Sequence, residues 1–373
     1  MKILFAGGGT GGHIFPIIAI ARELRKINPQ TKLYFVGPVN ETYYNLLQKE
    51  EITIKKIYSG KIRRYKEPKA IIENIIDATI KIPLGIIQSF IYMFFLCPDV
   101  VFSKGGYGSV PTTIAAKLLN IPIFLHESDI TPGKANKFIS KFALEIFTSF
   151  PNTEFFTKEK MILVGNPIRI NENINLTNEE IKKELNIKTN KPIIFVMGGS
   201  QGSERINNLI LQILPQLLKL FEVIHQCGAN NYNNISIESE FLIFNDLKES
   251  YHLTPFLNER NLNNAINISN IIISRAGAGS IFEIANAGKA SILIPLPESA
   301  QNHQIKNAYA YADFGASLVI TEENLTPNFF LHKILGIIKS PAIQKNMENK
   351  AKRFSKPKSA KIIASYIFEF LNQ

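Results

Sequence analysis

Three glycine-rich turns in the sequence have the composition of loops that receive phosphate or other oxygen groups. The first is Gly7–Gly12 with His13 directly behind it, the second is Gly198–Gly202, and the third is Ser274–Ser280. Each turn follows an apolar stretch typical of a strand and precedes a helical pattern, so its backbone N–H groups and the helix dipole are available to a ligand. The sequence therefore predicts three helix starts that face a ligand.

The first turn argues against two common classes of nucleotide-binding enzyme. It satisfies the pattern G-x-G-x-x-G, but Val36-Gly37-Pro38 stands where a dinucleotide-binding domain has its ribose-binding acid. His13 occupies the place of the P-loop lysine. An NAD enzyme and a P-loop NTPase are both disfavoured for these reasons. An imidazole at this helix start is a candidate general base, and the alternative is that it holds the loop by hydrogen bonds.

Two serines in the other turns allow a structural role and a ligand role. Ser200 is either a hydroxyl donor to phosphate or the N-cap of the following helix. Ser280 and Glu283 match the S-x-x-E capping box, whereas a carboxylate at this place can instead accept hydrogen bonds from a ribose. The polar loop Glu298–Gln304 is expected to overhang the same ligand site.

Two similar halves of the chain must position these turns. Both halves alternate strand patterns with helical ones, which predicts parallel sheets covered on both faces. We expect an α/β protein with two doubly wound, Rossmann-like domains facing across a cleft, with ligands at the carboxyl ends of the strands. The polar segment Asn171–Asn190 is a linker and first-helix candidate. The predicted strands are Lys2–Ala6, Lys32–Val36, Val100–Phe102, Ile121–His126, Ile146–Thr148, Pro192–Met197, Phe221–His225, Phe241–Phe244, Ile271–Ser274 and Ser291–Pro295, and the predicted helices include Pro16–Ile27, Val110–Leu119 and Ile206–Leu220.

The composition fits a globular protein of two domains. The chain has 373 residues, of which 45% are hydrophobic, and this excludes wholesale disorder and a disulfide-stapled miniprotein. Cys97 and Cys227 are far apart and form no CxxC or Cys/His cluster, so we expect a reducing cytoplasm and no structural zinc. The first residues lack the features of a signal peptide, so the mature protein is expected to begin at residue 1.

The net charge of +11 is concentrated in two segments. Lys55–Lys69 contains seven basic residues and one acid, and Lys350–Lys361 contains six basic residues and no acid. Two such clusters suggest a polyanionic partner, either nucleic acid or an anionic membrane, and the alternative is an ordinary solvated lysine surface. Only Tyr58, Tyr65 and Phe354 stand among the basic residues of the two segments, fewer than the regular stacking platforms of a nucleic-acid site, which argues against a nucleic acid.

An uncharged run, Ile82–Pro98, lies close behind the first basic segment. It is borderline for a transmembrane helix, which needs about 20 apolar residues. The alternatives are a buried helix and a helix that lays one face on the bilayer, beside basic side chains that meet anionic headgroups. For this last alternative the candidate membrane contacts are Lys61, Arg63, Arg64, Ile82, Ile86 and Phe90.

Six ordered motifs make the chain resemble the MurG family of GT-B glycosyltransferases. They are Gly8–His13, Lys104–Pro111, His126-Glu127, Gly165–Arg169, Gly198–Gly202, and Arg275–Ala278 with Glu283. The resemblance covers essentially the whole chain. It implies an acceptor and membrane-associating domain at 1–165, a UDP-GlcNAc-binding domain at 166–353, and a C-terminal helix at about 354–373 that packs back on the first domain.

The resemblance also implies roles for individual residues. For the donor it implies diphosphate contacts from Ser200, Ala278, Gly279 and Ser280, a ribose contact from Glu283, a uracil contact from the backbone of Leu257, and sugar contacts from His303 and Gln304. In the first domain it implies substrate contacts from Thr10, Gly11, Gly12, Tyr107 and Arg169. Some members have His-Glu-Gln-Asn where this chain has His126-Glu127-Ser128-Asp129, so the asparagine contact to the donor sugar falls to Asp129 or Asn136.

The implied reaction moves GlcNAc from UDP-GlcNAc, with inversion, to the C4 hydroxyl of undecaprenyl-linked muramyl-pentapeptide, at the cytoplasmic face of the plasma membrane during peptidoglycan synthesis. We expect His13 as the base, with Glu127 as rival or partner, and no cofactor or metal, since the chain has no Asp-x-Asp motif. The expected partners are both substrates, an anionic membrane surface and other cell-wall synthesis proteins, and no nucleic acid. The alternatives are another UDP-sugar GT-B enzyme, a UDP-GlcNAc epimerase, and a non-enzymatic basic binding module.

Overall fold

The computed structural model describes residues 1–61, 63, 68–153, 155–169, 176–199 and 202–372. The chain divides into two compact units. Unit 1 comprises Met1–Arg169 and Lys356–Gln373, and unit 2 comprises Ile170–Ser355. Each unit is built on its own parallel sheet, so the predicted α/β class with two parallel-sheet domains is confirmed.

The sheet of unit 1 has the Rossmann strand order. Over the described residues, seven parallel strands run in the order β3-β2-β1-β4-β5-β6-β7. The strands of unit 1 are β1 (Lys2–Gly7), β2 (Lys32–Val36), β3 (Thr53–Lys55), β4 (Val100–Gly105), β5 (Ile123–Glu127), β6 (Glu145–Thr148) and β7 (Met161–Leu163), and its helices before the linker are α1 (Gly11–Ile27), α2 (Glu41–Lys49), α3 (Pro68–Ile76), α4 (Ile82–Leu96), α5 (Val110–Leu118) and α6 (Lys134–Ile139).

Apolar side chains on both faces of this sheet explain why its central strands read as continuous hydrophobic runs. In β1, Ile3 and Phe5 belong to one apolar cluster, whereas Leu4 belongs to the cluster on the other face. The order of β1 and β4 places the switch point of the sheet between these two strands. In such sheets ligands bind at the carboxyl ends of the strands that flank the switch point.

The first helix begins earlier than its sequence pattern predicts. The prediction begins α1 at Pro16, but the helix starts at Gly11 because the carbonyl of Thr10 already accepts the N–H groups of His13 and Ile14. His13 therefore lies in the first turn of a helix. This position fixes the direction of its side chain more tightly than a loop would.

Unit 2 repeats the same order with a shorter sheet. Over the described residues, six parallel strands run in the order β10-β9-β8-β11-β12-β13. The strands of unit 2 are β8 (Ile193–Met197), β9 (Glu222–Gln226), β10 (Tyr251–Thr254), β11 (Ile271–Ser274), β12 (Ala290–Leu293) and β13 (Ser317–Val319), and its helices are α7 (Asn178–Glu184), α8 (Glu204–Leu220), α9 (Tyr232–Leu242), α10 (Glu259–Ile268), α11 (Ala278–Ala287), α12 (His303–Asp313), α13 (Pro327–Ile338) and α14 (Pro341–Phe354).

One predicted strand of unit 2 is wrong. The run Phe241–Phe244 covers the end of α9 and the residues after it, and the strand beside β9 is instead β10. Phe241 and Phe244 are both largely exposed. A short apolar run cannot be assigned to strand or helix by periodicity alone, and β10 was missed because its polar His252 and Thr254 break the apolar pattern.

The last helix, α15 (Ser359–Phe370), belongs to unit 1. Its Ile363, Ala364 and Ile367 are fully buried in the apolar cluster that α1 covers. The ring of Phe370 meets Phe124 of β5 edge to face, with centroids 5.2 Å apart. Residues at the far end of the chain thus complete the core beneath the first sheet.

Candidate active site

Three predicted motifs of unit 1 end on neighbouring strands. The turn with His13 follows β1, the glycine motif with Tyr107 follows β4, and Glu127 is the last residue of β5. Because β1, β4 and β5 are adjacent in the sheet, their carboxyl ends bring these residues to one side of unit 1. This is the side on which a doubly wound sheet binds ligands.

His13 is held closely between two glycine turns. Its Nδ1 lies 2.8 Å from Thr10 Oγ1. A Cβ built on Gly106 would lie only 2.7 Å from His13 Nε2, and one on Gly8 would lie 3.1 Å from Nδ1. Gly106 also has φ +79°, a left-handed conformation that favours glycine. Glycine is therefore required for the imidazole to lie against this turn.

The surroundings of His13 keep its imidazole neutral. Burial lowers its pKa to about 3, and the positive charge of Lys104 contributes in the same direction. A neutral imidazole retains a lone pair, so it can accept a proton from a hydroxyl group that approaches it. The role of His13 as base stays a prediction.

Glu127 is a buried carboxyl group, 3% exposed, at the centre of a hydrogen-bond network. Its Oε1 accepts from the backbone N–H of Asp129 at 2.9 Å, and its Oε2 accepts from Asn136 Nδ2 at 2.7 Å. Asn136 Oδ1 in turn accepts from the N–H of Gly106 at 3.2 Å. Glu127 is therefore connected through Asn136 to the turn that contacts His13.

The pKa of Glu127 is raised to about 7, first by burial and next by the negative charge of Asp129. Hydrogen bonds from Asp129 and Asn136 and the charge of Lys104 oppose this rise. A carboxyl group with such a pKa changes its protonation state in the pH range in which an enzyme works. Glu127 thus has the acidity of an acid–base group, although its two oxygens are occupied in this structure.

Lys104 is the feature of this site that the sequence reasoning missed. It lies in β4, is 2% exposed, and donates a hydrogen bond to Ser128 Oγ. The available signal was a lysine inside a strand whose other residues are buried, since lysine is rarely buried without a partner. Lys104 brings a cation into contact with the loop that follows Glu127.

The remaining candidates of unit 1 lie at or beside these turns. Gly12 is exposed and a Cβ there would have no atom within 4 Å, whereas Gly11 packs against Phe15. Tyr107 and Asp129 are half-buried. The Arg169 guanidinium lies over the ring of Phe15, 3.8 Å from its centroid, an arrangement that holds the cation by its flat face.

In unit 2 the glycine turn after β8 is followed by a helix with a different cap from the predicted one. Ser200 lies outside the described residues. The N-cap of α8 is Ser203, whose Oγ accepts from the N–H of Ile206 at 3.4 Å. The interpretation of Ser200 as the cap of this helix is therefore wrong, and the ligand role remains for it as a prediction.

The capping-box interpretation of Ser280 and Glu283 is wrong for the same reason. The helix α11 begins at Ala278 with Gly277 as its N-cap, so Ser280 lies in the first turn rather than before it. A Cβ on Gly277 or on Gly279 would meet no atom within 4 Å. There is therefore free space beside this helix start at the positions of the two glycine Cβ atoms.

Hydrogen bonds connect the candidate donor-binding segments of unit 2. Gln226 Oε1 accepts from the N–H of Leu257 at 3.2 Å, and its Nε2 donates to the carbonyl of Gly199 at 3.4 Å. On the other side of the switch point, Asn307 of α12 donates to the carbonyl of Ala276 at 3.3 Å. The turn after β8 is thereby joined to Leu257, and the turn after β11 to the helix that begins at His303.

The loop before α12 contains two strained residues. Gln301 and Asn302 have φ values of +57° and +55°, which are uncommon for residues other than glycine. Behind them, His303 Nδ1 lies 2.8 Å from the carbonyl of Ala300, and Gln304 Oε1 accepts from the N–H of Leu296 at 3.0 Å. Strain of this kind persists where the surrounding structure imposes it, commonly at ligand sites.

The predicted membrane contacts lie on and around a long helix. A π-helical turn, Asp77–Lys81, joins α3 to α4, and the resulting stretch Pro68–Leu96 is long and apolar enough to cross a membrane by length and composition. Only 17% of its apolar window is buried. The exposed apolar stripe of this helix consists of Ile72, Ile76, Ile80, Leu84, Ile87, Ile91, Phe94 and Phe95.

This stripe differs in detail from the predicted contacts. Ile82, Ile86 and Phe90 are only half-exposed, because they lie on the flank of α4 that turns toward the domain. Arg63 is engaged by Glu73 at 2.6 Å and by Asp77 at 2.8 Å, so its charge is already compensated. Lys61 is exposed, and Arg64 lies outside the described residues. The sequence located the helix, but not the face that it exposes.

Among the described residues, no group of three or more His, Cys, Asp or Glu side chains is arranged to hold a metal ion.

Comparisons with known proteins agree on the family of the chain. The family models for the glycosyltransferase family 28 N-terminal and C-terminal domains match residues 3–148 and 193–363.

Full-length relatives carry one name. The UDP-N-acetylglucosamine–N-acetylmuramyl-(pentapeptide) pyrophosphoryl-undecaprenol N-acetylglucosamine transferase of Clostridium tetani is 38% identical over 352 residues, which are 93% of this chain and 93% of that protein. The protein of the same name from Borrelia garinii subsp. bavariensis is 37% identical over 377 residues, covering 100% of this chain and 98% of that protein.

Solved structures agree with the sequence relatives. Acinetobacter baumannii MurG has a TM-score of 0.73 to this chain at 25% identity, and the match covers 99% of each chain. The UDP complex of S. aureus MnaA has a TM-score of 0.70 at 14% identity, covers 100% of this chain and 97% of that one, and shows the shared fold alone. Together with the matched domains and the full-length relatives, these findings show that the chain belongs to the MurG family of N-acetylglucosamine transferases.

Proposed function

We propose that this protein transfers N-acetylglucosamine from UDP-GlcNAc to the C4 hydroxyl of a lipid-linked muramyl-pentapeptide, with inversion at the anomeric carbon. The observation that carries the proposal is identity of 38% and 37% to transferases of this name over 93% and 100% of the chain. The geometry of the two units is consistent with it, since each unit provides a different half of the required chemistry.

Unit 2 is the half that binds the donor. The first N–H groups of α11, around Ala278–Ser280, suit an anionic diphosphate because they lie at the positive end of a helix dipole. Ser200 is proposed to add a hydroxyl donor to this contact. Glu283 is proposed to accept from the ribose, and the backbone at Leu257 to meet the uracil. His303 and Gln304 are proposed to contact the sugar.

Unit 1 is the half that activates the acceptor. Its base must reach a substrate hydroxyl, and here geometry ranks before acidity. His13 is half-buried, whereas both oxygens of Glu127 already accept hydrogen bonds. We therefore assign proton removal to His13 and a positioning role to Glu127. An anionic substrate beside the imidazole would raise the pKa of His13 from its low value and make it a stronger base.

The leaving diphosphate needs compensation of its growing negative charge. Fixed dipoles at the helix starts and the guanidinium of Arg169 supply this without a metal in the proposed mechanism. Arg169 is oriented in advance by its stacking on Phe15. Preorganised groups of this kind act most strongly because they need not rearrange during the reaction.

The test of the proposed function is transfer of labelled GlcNAc from UDP-GlcNAc to a lipid I analogue, with UDP-GalNAc as the control donor. We expect a labelled lipid product and UDP release that both depend on the acceptor. Interconversion of the sugar nucleotide in the absence of acceptor would instead establish an epimerase. Absence of any product from the folded protein would refute the proposal.

The exposed apolar stripe is proposed to place the enzyme on the surface of the membrane. The opposite face of α4 packs tightly, because Gly85 adjoins the carbonyl of Tyr58 and Ser89 Oγ lies 3.5 Å from Thr112 Oγ1. A helix that packs along one face against its own domain is suited to lie in the membrane–water interface rather than to cross the bilayer. The exposed lysines Lys55, Lys56, Lys61 and Lys69 precede or begin this helix and can meet anionic headgroups.

Substitution of Ile87 and Phe94 by Asp tests this placement. Both side chains are more than half exposed, so the fold should tolerate the change while binding to anionic vesicles is lost. Ile343→Asp on α14 is the matched control, since this side chain is equally exposed in unit 2. Unchanged sedimentation of the double variant with the vesicles would refute the assignment of the membrane face.

A further inference from the structure

The buried cation Lys104 has no role in the reaction described above. We propose that Lys104 is a positioning residue that orients the Ser128–Asp129 loop and balances the negative charge of Glu127 and Asp129 beside it. This inference rests on the proposed function, because it concerns the acid–base groups of that reaction.

The position of Lys104 is defined by a chain of hydrogen bonds. Its Nζ donates to Ser128 Oγ, and Ser128 Oγ donates to Asn166 Oδ1 at 2.9 Å. Next to this chain, His126 Nε2 lies 3.0 Å from the carbonyl of Gly165. The ammonium group thus ties β4 to the end of β5 and to the segment after β7. Removal of the ammonium group would leave Ser128 without this donor.

The ionisable and polar groups around Lys104 lie on β5 and the loop after it, on α1 and on α6. Glu127 of β5 and Asp129 of the following loop provide the anions that a buried cation needs. His13 of α1 and His126 of β5 feel the positive charge of Lys104, and burial lowers the pKa values of both. From α6 the group that faces the cluster is the uncharged Asn136, whereas Lys134 is exposed and Lys137 lies over the ring of Phe155. Tyr107 adjoins the cluster from the turn after β4.

Ser128 and Asp129 both interact with this cation, one by a hydrogen bond and the other by its charge. An additional acid beside Glu127 raises the pKa of that carboxyl group, as the structure shows for Asp129. Burial acts in the same direction as this acid and raises the pKa of Glu127 further. Lys104 acts in the opposite direction on Glu127 and also donates to Ser128. Lysine, serine and aspartate therefore form one mutually compensating set.

The direction of the effect on protonation follows from the sign of the charge. A cation disfavours the protonated, positive form of His13 and favours the anionic form of Glu127, so it lowers both pKa values. Loss of the cation raises both. The unprotonated fraction of Glu127 then falls at neutral pH, whereas His13 stays neutral because burial is the main cause of its low pKa. The acid limb that depends on Glu127 therefore moves to higher pH.

The experiment compares Lys104→Met, which removes the charge at similar length, with Lys104→Arg, which makes it permanent. Initial rates with a lipid I analogue give kcat/KM against pH, and circular dichroism verifies that each variant is folded. For Lys104→Met we expect the acid limb to move up by about one pH unit or more, which is a tenfold loss of rate on the acid side. Lys117→Met, an exposed lysine on α5, is the matched control and should keep the wild-type profile.

Lys104→Arg tests the same inference if the methionine variant does not fold. Burial lowers the pKa of Lys104 to about 8, against the opposing charges of Glu127 and Asp129, so the wild-type lysine loses its charge in mildly alkaline solution. Arginine stays charged at this pH. Any change of kcat/KM that accompanies loss of the lysine charge near pH 8 should therefore move to higher pH, or disappear, in Lys104→Arg. An unchanged profile in folded Lys104→Met, or in Lys104→Arg where only the latter folds, would overturn the role of Lys104. Absence of transfer by the wild-type protein would instead count against the proposed function.

Discussion

Units 1 and 2 have the same central strand order, yet the carboxyl ends of their strands carry different chemistry. In unit 1 these ends gather ionisable side chains, principally the buried Lys104 and Glu127 and the half-buried His13. In unit 2 they present helix starts and backbone groups around Gly199 and Gly277. One fold thus carries an ionisable cluster in one unit and glycine-rich helix starts in the other, because the residues at the strand ends, and not the fold, set the local chemistry.

Unit 2 also contains buried ionisable groups, but they serve its structure. His225 bonds to Asn207 and Tyr251, and burial lowers its pKa to about 3, so it remains a neutral member of the core. Glu222 begins β9, at the end of the sheet opposite the candidate donor site. The comparison predicts that substitutions of ionisable groups change turnover in unit 1 and change stability in unit 2.

The largest effect is expected for His13→Ala. If His13 is the base, kcat at saturating UDP-GlcNAc should fall by about 10²–10⁴-fold, the usual contribution of general-base catalysis. The affinity for UDP, measured by calorimetry, should stay unchanged because the donor is assigned to unit 2. A loss of less than about tenfold in kcat would remove His13 as the base.

A large effect is also expected for Gly106→Ala in unit 1. The added Cβ would approach His13 Nε2 to 2.7 Å at a residue with φ +79°. We expect a stability loss of about 1–3 kcal/mol in urea unfolding together with a marked fall in kcat. Gly133→Ala is the control, because that glycine has φ −64° and open space around its Cβ position. Equal behaviour of the two variants would contradict the close contact.

A smaller effect, on stability alone, is expected for Glu222→Gln. Glu222 is fully buried and accepts from His252 Nε2 and Thr189 Oγ1, each at 2.6 Å. Burial acts to raise its pKa, but these hydrogen bonds outweigh it and hold the pKa below the ordinary value. The loss of charge-assisted bonds should cost about 1–3 kcal/mol.

The pH dependence of this loss provides the control. A lowered pKa stabilises the fold above the pKa of the unfolded chain, and the contribution disappears as the pH falls through the folded-state value. The difference between wild type and Glu222→Gln should therefore shrink in acid. Weakened UDP binding by the folded variant at neutral pH would show that Glu222 is more than structural.

The smallest effect is expected for Ser280→Ala at the start of α11. The proposed diphosphate contacts at this helix come mainly from backbone N–H groups, which the substitution retains. The affinity for UDP should change by about 1 kcal/mol or less, the usual net value of one hydrogen bond. A calorimetric loss several times larger would mean that the hydroxyl group, and not the backbone, is the principal contact.

Much of the fold follows from local patterns. The strands Lys32–Val36 and Ile271–Ser274 begin and end where the sequence predicts, because runs of apolar residues bounded by turns suit a sheet covered on both faces. The glycine turns and the family were also evident from residue types and spacing. These features are encoded by residues close together in the chain.

Side-chain roles depended on contacts between distant segments. The cap of α8 is Ser203 and that of α11 is Gly277, and both positions depend on where each helix begins. Arg63 forms ion pairs with Glu73 and Asp77, which reach it from the following helical segment. Spacing in the sequence does not show such partners.

The sequence by itself determined the strand–turn–helix order, the two parallel-sheet domains and the family, since these depend on local propensity and on apolar periodicity. Only the tertiary structure decided that Lys104 is buried beside Glu127, and which face of α4 is exposed. The physical reason is that the burial and the electrostatic environment of a side chain depend on segments that are distant in the sequence and meet only in the folded protein. The same lysine would be an ordinary solvated cation if its strand lay at the surface.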